Sequence, residues 1–255
     1  MFDFRRDIWK GVYNSRDEAR SHVSKVGHVD VQWLMKSIYR LEVAQNNEPF
    51  IQESELPEWS YPVDAVVALA AQGKDANETV KIVDVGGNLG VLGHLCHGVI
   101  RGRKIDYSVL ELPEFLDTVP QEVLGSQSHK FFIEMPSMEI DFMVMGSVIQ
   151  YFEQPSVLLE ELLSQCKSRF IGIFDAMIGK RIATFTSIQT YFGSSMVCTF
   201  YSLEDVNKMM TSLGYELLTE RPHISKKSKL YFPHLGLPEE NRIPFPLNLI
   251  YQRVT

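Results

Sequence analysis

The sequence predicts an α/β protein built on a largely parallel sheet covered on both faces, and three observations carry that expectation. From Val80 onward, apolar strand-like runs alternate with helical patterns. The first run, Val80-Lys81-Ile82-Val83-Asp84-Val85, ends in an acid and passes straight into Gly86-Gly87-Asn88-Leu89-Gly90. The 255 residues, 45% of them hydrophobic, suffice for one large core and a smaller appendage.

The first sixty or so residues carry helical signals and no strand pattern. They predict an N-terminal helical cap over 1–60, with the α/β domain over 61–255. Ser15-Arg16-Asp17-Glu18 is a capping box that starts one helix. Asp30 can cap a second, on which Val31, Leu34, Met35, Ile38 and Leu41 recur at helical spacing and need the main domain to lie against. Residues 46–57, polar and acidic with two prolines, read as a linker. Pro62 and Gly73 then bracket a helix over 63–72.

Five strands are expected next, at 80–85, 105–111, 130–134, 141–146 and 170–174. Pro155 opens a helix over 155–166 whose apolar face is Val157, Leu158, Leu162, Leu163 and Cys166. Ser202-Leu203-Glu204-Asp205 caps a helix that Gly214 ends, and 215–220 and 247–254 read as an antiparallel edge. Residues 177–201 form a long insertion after the fifth strand, placed to overhang the strand tips and shape a pocket. Its aromatics, Phe185, Tyr191, Phe192, Phe200 and Tyr201, each read individually as packing.

A strand that runs through a glycine turn into a helix surrounds one small ligand with backbone amides, a helix N-terminus and a carboxylate. The dinucleotide fingerprint would need glycine where Asn88 and Val91 stand. The class I methyltransferase pattern, acid-x-Gly-x-Gly-x-Gly, is met at Asp84, Gly86 and Gly90 and missed at Asn88. A carboxylate at Asp84 attracts the ammonium of S-adenosylmethionine and repels a pyrophosphate. Glu111, at the tip of the next strand, can accept both ribose hydroxyls. The expected cofactor is therefore S-adenosylmethionine, with Asp84 and Glu111 as its carboxylate contacts and Ser147 as a further cofactor candidate at a strand tip.

The remaining strand tips bring Ser147, Gln150, Tyr151 and Asp175 toward the reacting atoms. Methyl transfer to a hydroxyl gains about 10²–10⁴ from a base within reach, whereas a carboxylate acceptor needs none. Asp175 is the first candidate for that base or for an acceptor-orienting contact. His94, one turn into the helix after the glycine loop, is the second.

A net charge of −7 disfavours a nucleic-acid partner, and the one basic cluster, Lys226-Lys227-Ser228-Lys229, reads as a solvated loop. Cys96, Cys166 and Cys198 lack Cys-x-x-Cys spacing, and the start of the chain lacks an apolar signal core, so a cytoplasmic setting is expected. The longest uncharged run, 182–203, is too rich in Thr, Ser and Gln to span a membrane. His94, Cys96 and His97 find no further ligands at metal-site spacing, and no metal is expected. Neither a Gly-x-Ser-x-Gly elbow nor a phosphate loop of the Gly-x-x-x-x-Gly-Lys-Ser/Thr kind is present.

Trp9-Lys10-Gly11-Val12-Tyr13, Asp17-Glu18-Ala19, the Ile82–Gly90 loop, Val109-Leu110-Glu111-Leu112-Pro113 and Val148-Ile149-Gln150-Tyr151-Phe152-Glu153-Gln154-Pro155 together resemble a family of bacterial methyltransferases. That family is often linked to surface-polysaccharide gene clusters. The resemblance spans most of the chain and implies a Rossmann-like class I methyltransferase sheet of seven strands with the last antiparallel. It also implies S-adenosylmethionine as methyl donor, cofactor roles for Asp84, Gly86, Gly87, Asn88, Gly90 and Glu111, and a sugar or sugar-linked acceptor; the function expected from the whole reading is methylation on oxygen of a small-molecule or glycan-linked acceptor. The chain departs from the family after the fifth strand, where Asp175-Ala176-Met177 replaces Asp-Arg-Thr. Two rival readings stand beside this one: a methyltransferase-like module that binds without catalysis, and an NAD(P)-dependent oxidoreductase.

Overall fold

The computed structural model describes residues 8–23, 31–46, 60–99, 102–125, 127–191, 194–224 and 236–254. Residues 1–7, the expected cap at Asp30, the linker beyond Asn46, Phe192 and the basic cluster at 226–229 lie outside the described residues. The chain opens with β1 (Trp9–Tyr13), α1 (Arg16–Ser21), α2 (Val31–Asn46) and α3 (Val63–Ala70). There follow β2 (Val80–Val85), α4 (Val91–Val99), β3 (Ile105–Leu110), α5 (Pro113–Leu116), α6 (Gln121–Gly125), β4 (Lys130–Phe132) and β5 (Met138–Gly146). The second half runs α7 (Pro155–Gln165), β6 (Cys166–Ala176), β7 (Ile178–Gly179), β8 (Phe185–Tyr191), β9 (Ser194–Ser202), α8 (Leu203–Ser212), β10 (Tyr215–Pro222) and β11 (Leu247–Arg253).

The large sheet has seven strands in the order β10-β11-β6-β5-β2-β3-β4. Its central pairs are parallel, and β11 runs antiparallel to both β6 and β10. The order reverses between β2 and β5, the topological switch point where such sheets bind ligands beyond the strand tips. Alternation along the strands feeds two cores. Phe142 and Val144 on β5, with Phe170 and Phe174 on β6, pack toward α3 and α4. Met143 and Met145, with Ile171 and Ile173, pack toward α7 and α8.

The local signals place the helix ends. Ser15 accepts from the Glu18 N–H at 3.1 Å, and Ser202 accepts from the Asp205 N–H at 3.0 Å. Pro155 occupies the first turn of α7. Strands β5 and β6 are longer than expected, and Cys166 passes directly from the end of α7 into extended backbone.

Two expectations are corrected. The N-terminal region is not wholly helical: Trp9–Tyr13 is a strand that pairs antiparallel with β8, so β1, β8, β9 and β7 form a second, four-stranded sheet. A five-residue strand whose partners lie far along the sequence leaves almost no local periodicity to read. The face of α2 is also rotated. Leu34, Ile38, Leu41 and Ala44 pack on Leu89, Val91, Phe115 and Val119, while Met35 is 61% exposed. The rotation turns a second stripe, Trp33, Lys36 and Arg40, toward the tips of the large sheet.

Candidate functional site

A cavity of about 1200 Å³ lies over the C-terminal tips of β2, β3, β5 and β6. Asp84, Gly86, Gly87, Asn88, Glu111, Ser147 and Asp175 all line it, which brings together most of the site residues expected from sequence. Gly90 does not line it; its φ of +74° and its N–H to the Gly87 carbonyl turn the chain into α4. His94 stands apart from the cavity as well. Its Nε2 is 3.0 Å from Gln127 Oε1, and its ring packs edge-on against His129.

One end of the cavity is built by β2 and β3. Gly86 has a φ of +67°, and a Cβ there would lie 2.6 Å from Val148 Cγ2. A Cβ on Gly87 would lie 2.5 Å from the Asp84 carboxyl, so only glycine lets the loop close over the acid. Asn88 has a φ of +56° in the same left-handed region. Asparagine is among the side chains that tolerate that conformation best, which explains how the loop keeps its path without its central glycine.

Asp84 is 4% exposed, and among the described residues it pairs with no cation. Burial raises its carboxyl to about 7; a hydrogen bond from Tyr107 Oη, 2.5 Å from Oδ2, pulls the other way, and the Glu111 charge adds a smaller rise. Glu111 accepts from the Leu112 N–H at 2.7 Å and from the Asn88 N–H, while burial raises its carboxyl. These two acids converge on the same loop from adjacent parallel strands.

The other end is built around Asp175. Opposite it, the register between β6 and β11 shifts between Leu247 and Leu249, a bulge that lets Asp175 take a φ of +48°. The displaced Asp175 N–H donates to Asn248 Oδ1 at 2.9 Å, and Asn248 Nδ2 donates to the Ser60 carbonyl at 2.9 Å. Ser147, with a φ of +55°, hydrogen-bonds the Asp175 side chain. Burial raises the Asp175 carboxyl, and His223, Ser147, Arg40 and Lys36 all oppose that rise. Asn88, Ser147 and Asp175 are the three non-glycine residues with left-handed backbone among the described residues, and all three line this cavity.

The insertion after the fifth strand does overhang the tips. Gln189 and Met196 from β8 and β9, with Trp9 from β1, close one side of the cavity. Tyr151 Oη donates to Gln189 Oε1 at 2.8 Å. Arg16 fastens this sheet down, donating to the carbonyls of Gln150, Tyr151 and Val197 and to Thr199 Oγ1. Phe185 and Phe200 stack on each other, and Trp9 meets Phe200 edge-on, so these aromatics pack the small sheet.

Several residues of the site were not singled out from sequence. Tyr107, Tyr61, His223, Asn248, Arg16, Lys36 and Arg40 belong to this group. One had a readable signal: Asn248 interrupts the apolar run Leu247-Asn248-Leu249-Ile250, whereas His223 reaches the ligand edge only because β10 runs to Pro222. Among the described residues no helix is long and apolar enough to cross a membrane, and no cluster of three His, Cys, Asp or Glu side chains could hold a metal. The three cysteines are buried and unbridged.

No protein-family model and no curated protein matches the chain. Solved structures do. A Listeria monocytogenes protein described as an S-adenosylmethionine-dependent methyltransferase superposes with a TM-score of 0.51 at 9% identity, covering 78% of this chain and 99% of that one. A structure described as the complex between the Haloferax volcanii Trm112 methyltransferase activator and its methyltransferase partner gives a TM-score of 0.52 at 11% identity, covering 86% and 94%. At such identities the likeness speaks for the fold, and it agrees with the strand order above: the chain has the seven-stranded class I methyltransferase fold.

Proposed function

We propose that the protein is an S-adenosylmethionine-dependent methyltransferase that methylates an oxygen of a small-molecule or sugar-linked acceptor. The observation that carries the reading is the buried Asp84 carboxyl, set against a left-handed turn and lacking any cation among the described residues. A buried acid is costly unless paired, and the ammonium of S-adenosylmethionine supplies the missing charge. Glu111 then faces the ribose, and Gly86 and Gly87 leave room for backbone approach.

The cofactor brings a methyl group on an activated leaving group, so positioning supplies much of the acceleration. A cavity of about 1200 Å³ exceeds what a single drug-sized ligand needs, and the space under Trp9, Tyr61, Tyr151 and Met196 suits an acceptor. The sequence resemblance to methyltransferases linked to surface polysaccharides favours sugar-linked compounds among the acceptors to try first.

The test is transfer of tritium from [methyl-³H]S-adenosylmethionine into a panel of phenols, sugars and nucleotide sugars. The reading expects a labelled small-molecule product that Glu111→Ala reduces by tenfold or more. Binding of S-adenosylhomocysteine without transfer to any acceptor would favour the non-catalytic module instead.

A further inference from the structure

His223 is the side chain at the acceptor end that the cofactor reading leaves unused. It follows the tip of β10, is 2% exposed, and lines the cavity beside Asp175 and Tyr61. Its Nε2 lies 3.8 Å from Asp175 Oδ1, and its Nδ1 is buried with no hydrogen-bond partner among the described residues. The Tyr61 ring meets the imidazole edge-on at 5.6 Å and holds its plane. Lys36 and Arg40 are the other charges that act on Asp175.

A neutral imidazole carries one hydrogen, on one of two nitrogens. With a carboxylate beside Nε2 and no partner for Nδ1 among the described residues, electrostatics favours that hydrogen on Nε2. The 3.8 Å separation is longer than a hydrogen bond, and catalytic contacts of this kind tighten in the substrate complex. The β6 bulge and the Asn248 contact hold the Asp175 backbone where the carboxylate faces both His223 and the cavity.

Resting on the methyltransferase reading, we propose that Asp175 and His223 form one proton-accepting pair and that the acceptor group is therefore a hydroxyl. Asp175 is the catalytic base, and His223 is a positioning residue that acts through it. The acceptor oxygen forms its bond to the methyl carbon while the sulfur–carbon bond breaks, its electron pair passing to sulfur. The O–H electron pair stays on oxygen, and the proton passes to Asp175. One positive charge on sulfur and one negative charge on the carboxylate disappear together, so the step leaves the net charge of the cavity unchanged. A carboxylate acceptor would gain nothing from this pair and would be repelled by it.

The test reads the imidazole nitrogens of His223 by long-range ¹H–¹⁵N NMR on protein saturated with S-adenosylhomocysteine, with His223→Gln used for assignment and Asp175→Asn as the probe. The expected result is hydrogen on Nε2, with an Nε2 signal that moves in Asp175→Asn. Hydrogen on Nδ1, or an Nε2 signal indifferent to Asp175→Asn, overturns the pair. The tautomer is read on the wild type, so a variant that fails to fold leaves the test intact. Calorimetry on the same sample separates the two claims: failure to bind S-adenosylhomocysteine overturns the methyltransferase reading, whereas binding with the wrong tautomer overturns the pair alone. With a labelled acceptor in hand, Asp175→Asn should lower kcat by about 10²–10⁴, and His223→Gln should lower kcat about tenfold or more while KM for the cofactor stays within a fewfold. Labelling of carboxylates alone, or an unchanged kcat in His223→Gln, contradicts the proposal.

Discussion

Tyr107 donates its phenolic hydrogen to Asp84 Oδ2 at 2.5 Å, with both side chains buried under the glycine loop. Because Asp84 pairs in register with Val109, Tyr107 stands two residues back on the same face of β3. The contact supplies a hydrogen bond to an acid that burial would otherwise keep neutral. Tyr107→Phe should therefore cost about 1–3 kcal/mol of stability in a denaturant titration. It should also weaken S-adenosylhomocysteine binding at neutral pH, measured by calorimetry, because the carboxylate becomes harder to form.

Asp84 also sets a pH dependence. Burial raises its folded-state value to about 7, against an unfolded value near 3.8. The stability gained by keeping this carboxyl protonated is fully present below about pH 4 and is lost as the pH rises through about 7. Relative to Asp84→Asn, the wild type should lose on the order of 4 kcal/mol between pH 4 and pH 8. Cofactor affinity should move in the opposite sense, rising up to about tenfold per unit until pH 7 and then levelling, and staying flat in Asp84→Asn.

The left-handed turn can be probed at its non-glycine member. Asn88→Gly should bind S-adenosylhomocysteine within a fewfold of the wild type, because glycine adopts a φ of +56° without strain. Asn88→Val should lose about 1–2 kcal/mol of stability and bind more weakly. Equal behaviour of the two variants would remove the backbone argument for this position.

Asn248 is the next probe, since it accepts from the Asp175 N–H and donates to the Ser60 carbonyl. Asn248→Ala leaves a buried N–H and a carbonyl unpaired, at a cost of about 1–3 kcal/mol. Methyl transfer should fall more than cofactor binding does, because the loss is at the acceptor end. Comparison of kcat with the calorimetric affinity for S-adenosylhomocysteine checks the split.

What the sequence made legible is what it encodes locally. The β2 tip, the glycine turn and α4 are contiguous, so Asp84, Gly86, Gly87 and Asn88 could be placed from their spacing, and Glu111 from the next strand. Strand β1 was hidden because its partner β8 begins at Phe185. The bulge at Asp175 depends on the register of β11, some seventy residues later, and the Asn248 contact exists only once that register is set. His223 was missed for a related reason: the expected strand stopped at 220, whereas β10 runs to Pro222 and delivers the next residue to the ligand edge. His94 satisfied a sequence criterion, a titratable group near the loop, but its place on α4 turns it toward Gln127 and His129. Met35 fitted the apolar spacing of α2 and yet faces outward, because packing on Phe115 and Val119 selects the Leu34, Ile38 and Leu41 stripe.

The central claim is that Asp84 and Glu111 hold S-adenosylmethionine, and calorimetric titration with S-adenosylhomocysteine at pH 7.5, with NAD as control, tests it most directly. The account predicts one-to-one binding of S-adenosylhomocysteine, no heat from NAD, and a loss of tenfold or more in both Asp84→Ala and Glu111→Ala. Binding of NAD in its place, or S-adenosylhomocysteine affinity unchanged in both variants, would contradict it.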